Sequence, residues 1–175
     1  MADIKIAYGT TNQAITITLN SLASSATAAR QSTVVDNTSN LYLDALVQVK
    51  VTLPTSGTIG SDKRAYVYAF GTADTSTPGY PAEVASTSAN SALGASDAAY
   101  TMNAAGSPLK LIGVLPIVTV NTSTNGVLIT EPMSVAAAFG GRLPPKWGIV
   151  VRNYCGVTWH SSGCSAWYQG IYATA

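Results

Sequence analysis

Leu41-Tyr42-Leu43-Asp44-Ala45-Leu46-Val47-Gln48-Val49-Lys50-Val51-Thr52-Leu53 is the stretch whose pattern decides the fold. Val47, Val49, Val51 and Leu53 recur at every second position, with Gln48, Lys50 and Thr52 between them. Successive side chains of a strand point to opposite faces, so this spacing gathers the aliphatic residues on one face and the polar ones on the other. A strand with one dry and one wet side belongs to an antiparallel sheet packed on a core. Pro54-Thr55-Ser56-Gly57 then stops it.

The same period continues on both sides. Ile15-Thr16-Ile17-Thr18-Leu19 is a shorter case, and Arg64 to Phe70 sets Tyr66, Tyr68 and Phe70 against Ala65, Val67 and Ala69. Further strands are expected at 109–120, 126–130, 147–151 and 166–172, with a short one at 34–37 and an edge strand or arm at Ile4 to Tyr8. Helix signals are confined to single turns at 21–29 and 134–139, the second ended by Gly140-Gly141. About eight strands separated by turn residues predict an all-β antiparallel sandwich, jelly-roll-like. The chain reads as a single domain over 1–175, with 1–12 as the edge strand or arm and 71–108 as one long inserted loop. A loop of that length in a compact domain usually has a use, and Tyr80, Leu93 and Tyr100 are the residues to anchor it.

Composition narrows the function. Charged residues are 10% of the 175, where about 25% is usual. The chain holds 26 Ala, 21 Thr and 18 Ser, so its surface is neutral and hydroxyl-rich, suited to dense assembly. Net charge is +1 and the nine Lys and Arg are scattered, which argues against nucleic-acid binding. No apolar run approaches the roughly 20 residues of a membrane helix, so no membrane partner is expected. Met1-Ala2-Asp3-Ile4-Lys5 lacks the basic-then-apolar pattern of a secretory signal, and synthesis in a cytoplasm is expected.

No reactive constellation stands out. His160 is the sole histidine, in Trp159-His160-Ser161-Ser162-Gly163, which reads as a hairpin tip between Tyr154 and Trp167. No Gly-x-Ser-x-Gly elbow and no phosphate-cradling glycine motif occurs. Cys155 and Cys164 are too few for a structural zinc site; they either close a disulfide across that hairpin or stay reduced. Of the eight acids only Asp36 and Asp44 are neighbours by spacing, and Asp36-Asn37-Thr38-Ser39-Asn40 reads as a turn capped by its own side chains. The chain is therefore expected to be no enzyme and to need no cofactor or metal. Trp147, Trp159, Trp167, Tyr154, Tyr168 and Tyr172 cluster near the end of the chain. Cross-strand packing accounts for most of them, with Trp159 the best candidate for an exposed ring.

The string Ala136-Ala137-Ala138-Phe139-Gly140-Gly141-Arg142-Leu143-Pro144-Pro145-Lys146-Trp147-Gly148-Ile149-Val150-Val151-Arg152-Asn153, with Tyr168-Gln169-Gly170-Ile171-Tyr172, resembles small virion proteins of tailed bacteriophages. So do Tyr66-Val67-Tyr68-Ala69-Phe70-Gly71-Thr72-Ala73-Asp74 and Leu109-Lys110-Leu111-Ile112-Gly113-Val114, so that the likeness spans about residues 41–175. The Cys155–Cys164 segment departs from the longer, more polar hairpin that the resemblance leads one to expect. The resemblance implies a jelly-roll-like decoration (cement) protein, made in the host cytoplasm and carried on the virion. Its partners would be the major capsid protein and further copies of itself, as a dimer or trimer. Ile4, Ile6, Tyr8, Tyr80, Tyr100 and Trp159 are the expected contact residues. The rival expectation is a receptor- or carbohydrate-binding tail component presenting Trp159 and Tyr80.

Overall fold

The computed structural model describes residues 4–76, 79–83, 91–103, 107–121 and 123–174. Its strands form two packed antiparallel sheets, and the chain passes repeatedly from one to the other. β1 (Lys5–Tyr8) and β2 (Gln13–Ile15) lie in the first sheet, β3 (Ala28–Gln31) and β4 (Val35–Asp36) in the second. β5 (Asp44–Thr52) returns to the first, and β6 (Arg64–Thr72) crosses again. After a two-residue ladder of β7 (Ala82–Glu83) with β8 (Ser91–Ala92), β9 (Ala98–Thr101) and β10 (Lys110–Pro116) join the second sheet. β11 (Val127–Ile129) and β12 (Met133–Ser134) then join the first, β13 (Lys146–Tyr154) the second and β14 (Ser165–Thr174) the first.

The first sheet therefore runs β1/β2, β14, β5, β11/β12, and the second runs β10, β6, β13, β3/β4, β9. Successive strands wrapped around two facing sheets give jelly-roll connectivity. The alternation read in the sequence sets which faces meet. Ala45, Val47, Val49 and Val51 of β5 are buried against Ala65, Val67 and Ala69 of β6 and Ile149 and Val151 of β13. Trp147 of β13 meets Tyr168 of β14 edge to face, with ring centroids 5.2 Å apart, so one aromatic pair spans the two sheets. The single helical turn, α1 (Val135–Ala138), is capped by the Ser134 hydroxyl accepting from the Ala137 N–H. The other expected turn, at 21–29, does not form a helix; its last residues, Ala28 and Ala29, begin β3.

Residues 71–108 are in part sheet rather than loop. β9 adds to the edge of β3, placing Tyr100 opposite Ala29. Leu93, Tyr100, Met102 and Leu109 pack on Phe70, Val150 and Ala29, a second apolar cluster outside the main core. The excursion thus covers part of the outer face of the second sheet, because that face carries apolar residues that need burial.

A polar clasp reinforces this cover. Asp97 pairs with Arg30 of β3 and accepts from the Thr18 hydroxyl, and Gln31 donates to the carbonyls of Gly94 and Ser96. Burial alone would raise the Asp97 carboxyl, but the Arg30 and Thr18 contacts outweigh it and hold it below the ordinary carboxylate value. A depressed folded value stabilises above the unfolded one and is lost as pH falls through it. Asp97→Asn is therefore expected to lower stability by about 1–2 kcal/mol at pH 7. The gap between the urea midpoints of variant and parent should close below about pH 3; a gap unchanged at low pH would rule the clasp out.

Candidate functional site

Because β13 and β14 lie in different sheets, residues 155–164 form a crossing rather than the expected hairpin. Of the two alternatives for Cys155 and Cys164, a disulfide or reduced thiols, the structure has the second: both thiols are free. Cys155, fully buried, turns its Sγ toward the Val157 carbonyl, whereas Cys164 Sγ accepts from the Thr52 N–H of β5. Burial pushes both thiols up, which keeps them protonated and poor nucleophiles. Asn153 fixes the start of the crossing. Fully buried, it donates to the carbonyls of Leu22 and Val157 and accepts from the Cys155 N–H.

The same geometry corrects two expected contact residues. Trp159 is 2% exposed, because its backbone N–H binds the Leu22 carbonyl and its ring joins the main core. Tyr100 is 3% exposed, because the excursion packs it into the second apolar cluster with Phe70 and Val150. Neither reaches a partner from this fold. Tyr80 is half-buried and packs edge to face on Phe70 at 5.8 Å.

Ile4, Ile6 and Tyr8 lie at the open edge of the first sheet, 78%, 62% and 60% exposed. β1 pairs with β14 on one side, from Lys5 opposite Thr174 to Tyr8 opposite Ile171, and ends the sheet on the other. Among the described residues no strand pairs with its outer side, which leaves a ladder beside exposed apolar side chains, the usual template for strand addition. A second exposed apolar strip lies where β10 and β11 end their own sheets. Leu111, Val114, Val127 and Ile129 are exposed there, beside a groove of about 680 Å³.

The polar candidates stay local. Asp36 accepts from the backbone and hydroxyl of Thr38, as its turn spacing predicts, and these bonds, with Lys146 nearby, lower its carboxyl. Asp44 instead accepts from Ser134 and the Ala136 N–H and so holds α1 in place. The His160 ring accepts from the Ser162 N–H within its own turn. Among the described residues no three His, Cys, Asp or Glu side chains converge as metal ligands would.

One cluster was not singled out in the sequence. On the outer face of the second sheet, next to the part that the excursion covers, Tyr66, Tyr68 and Tyr154 surround Arg152. Strand parity contains the signal. Ala65, Val67 and Ala69 are the inward side of β6, so Tyr66 and Tyr68 face out, and Arg152 alternates with buried Val151 and Asn153 on β13. No protein-family model, curated protein or solved structure matches this chain.

Proposed function

We propose that this chain is a structural virion protein of a tailed bacteriophage that binds the outside of the capsid and stabilises it. On this reading it is made in the host cytoplasm, joins the major capsid protein on the finished shell, and associates with copies of itself. The observation that carries the reading is the open β1 edge, where Ile4, Ile6 and Tyr8 are held exposed on a sheet with few charges to repel a neighbour. Binding by such a surface draws on buried apolar area and strand pairing rather than on a reactive group. Many copies on one particle multiply a modest affinity per contact. The phage-like strings in the sequence supply the kind of particle. The tail-receptor alternative loses its main aromatic platform, since Trp159 is buried.

The test is sedimentation with capsid shells of the encoding phage. The protein is expected to pellet with the shells and to raise their resistance to heat or low salt. Ile6→Lys, which places a charge on the open edge, should weaken self-association and shell binding at least several-fold without lowering the melting temperature of the isolated chain. Shells that neither bind nor gain resistance would refute the reading.

A further inference from the structure

The outer face of the second sheet has an unusual composition for so uncharged a protein. Three cross-strand rows build it. Pro116 lies opposite Arg64 and Arg64 opposite Tyr154; Val114 lies opposite Tyr66 and Tyr66 opposite Arg152; Leu111 lies opposite Tyr68. Side chains in such rows touch across the sheet, so these residues make one continuous surface. The Arg152 guanidinium sits 4.5 Å from the centroid of the Tyr66 ring, 5.3 Å from that of Tyr154 and 5.9 Å from that of Tyr68. The Tyr66 and Tyr68 rings are stacked 6.3 Å apart.

Arg152 is held but not neutralised. One terminal nitrogen donates to the Ala26 carbonyl, and its Nε is buried without a partner. The two ion pairs among the described residues use Arg30 and Lys146. The acid nearest this face by sequence, Asp62, lies beside Tyr154 and raises the pKa of its hydroxyl. Arg64, exposed in the neighbouring row, adds further positive charge. A guanidinium stacked on tyrosines is pre-organised and partly dehydrated, so a carboxylate that meets its terminal nitrogens gains a strong, oriented pair. Tyrosine and arginine among aliphatic neighbours are the residues that dominate protein interfaces.

We infer that this face is a docking surface for an acidic segment of a partner protein, with Arg152 receiving a partner carboxylate and Tyr66, Val114 and Leu111 covering apolar side chains beside it. Charge complementarity chooses the occupant. Two cations, Arg152 and Arg64, meet one neighbouring acid, in a chain whose net charge is only +1. The cations are too few and too localised to follow a nucleic-acid backbone. That the acidic partner belongs to a capsid rests on the function proposed above; the carboxylate chemistry rests on the face itself.

The probe is poly-L-glutamate, titrated at low salt into the full chain, with thymidylate oligonucleotide as the competing anion. Saturable polyglutamate binding is expected. Arg152→Met should weaken it about tenfold or more, and Lys50→Met, on the first sheet, should leave it nearly unchanged. Arg152→Lys keeps the charge but not the planar fork, should also weaken it, and serves if the Met variant fails to fold. Absent binding, equal loss in the Lys50 variant, or tighter binding of the oligonucleotide would overturn the inference. Shells form the second arm. Parent and Arg152→Met binding shells equally would remove this face while leaving the virion role. Shells ignoring the parent, with the polyglutamate result intact, would remove the virion role and leave the face.

Discussion

Replacing Gly156 by alanine is expected to cost about 3 kcal/mol or more, a fall in melting temperature of roughly 6–12 °C for a chain of this size. Gly156 follows the end of β13 with φ +94°, a conformation that residues with a Cβ rarely adopt. A Cβ there would also lie 2.7 Å from the Gly60 Cα and closer still to its nitrogen. Neither backbone retreats cheaply, because the Gly60 N–H donates to the Cys155 carbonyl at 2.6 Å. Gly140→Ala separates the two causes. Gly140 also has positive φ, at +71°, but nothing lies within 4 Å of its Cβ position. It should cost only about 1 kcal/mol. Calorimetry of the two variants decides the matter; equal losses would mean that the close approach contributes nothing.

Trp147→Ala is the second large effect, about 3–5 kcal/mol. Trp147 is fully buried on β13, and its ring meets Tyr168 of the opposite sheet. Truncation leaves a cavity between the sheets and removes the aromatic contact that joins them. The Trp147 Nε1–H is buried with no hydrogen-bond partner, so Trp147→Phe gives up volume but no hydrogen bond. It should cost less than half as much as the alanine change. Urea midpoints of the two variants, followed by circular dichroism, test this; a Phe variant as damaged as the Ala variant would point to an unseen bond at Nε1.

The architecture was legible where a strand alternates small or aliphatic residues with polar or aromatic ones. β5 and β6 show this: inward Ala45, Val47, Val49 and Val51 face inward Ala65, Val67 and Ala69. The single helical turn within 134–139 was legible from its run of alanines and from the glycines that end it. Partner strands were not legible, because periodicity fixes faces and leaves pairing open. Residues 155–164 therefore looked like a hairpin, although β13 and β14 lie in different sheets. Trp159 looked exposed for the same reason: a crossing between sheets runs over the core, where a hairpin tip would stand clear of it. Residues 71–108 looked like loop because their many Ala, Ser, Gly and Pro residues carry little strand signal, and the Ala98-Ala99 half of β9 is held by its pairing with β3 rather than by its own propensity. Of the candidate surface, the Ile4–Tyr8 edge was visible in advance, whereas the Arg152 cluster needed the register of three strands.

The central claim is that this jelly-roll sandwich works by covering and joining surface on a phage shell, and a cryo-EM map of the intact particle from the encoding phage tests it most directly. The account predicts density for the sandwich in many copies on the outside of the shell, with the β1 edge or the Arg152 face in contact with a neighbour. A map with a fully decorated shell lacking this chain, or with the chain confined to the tail, would contradict it.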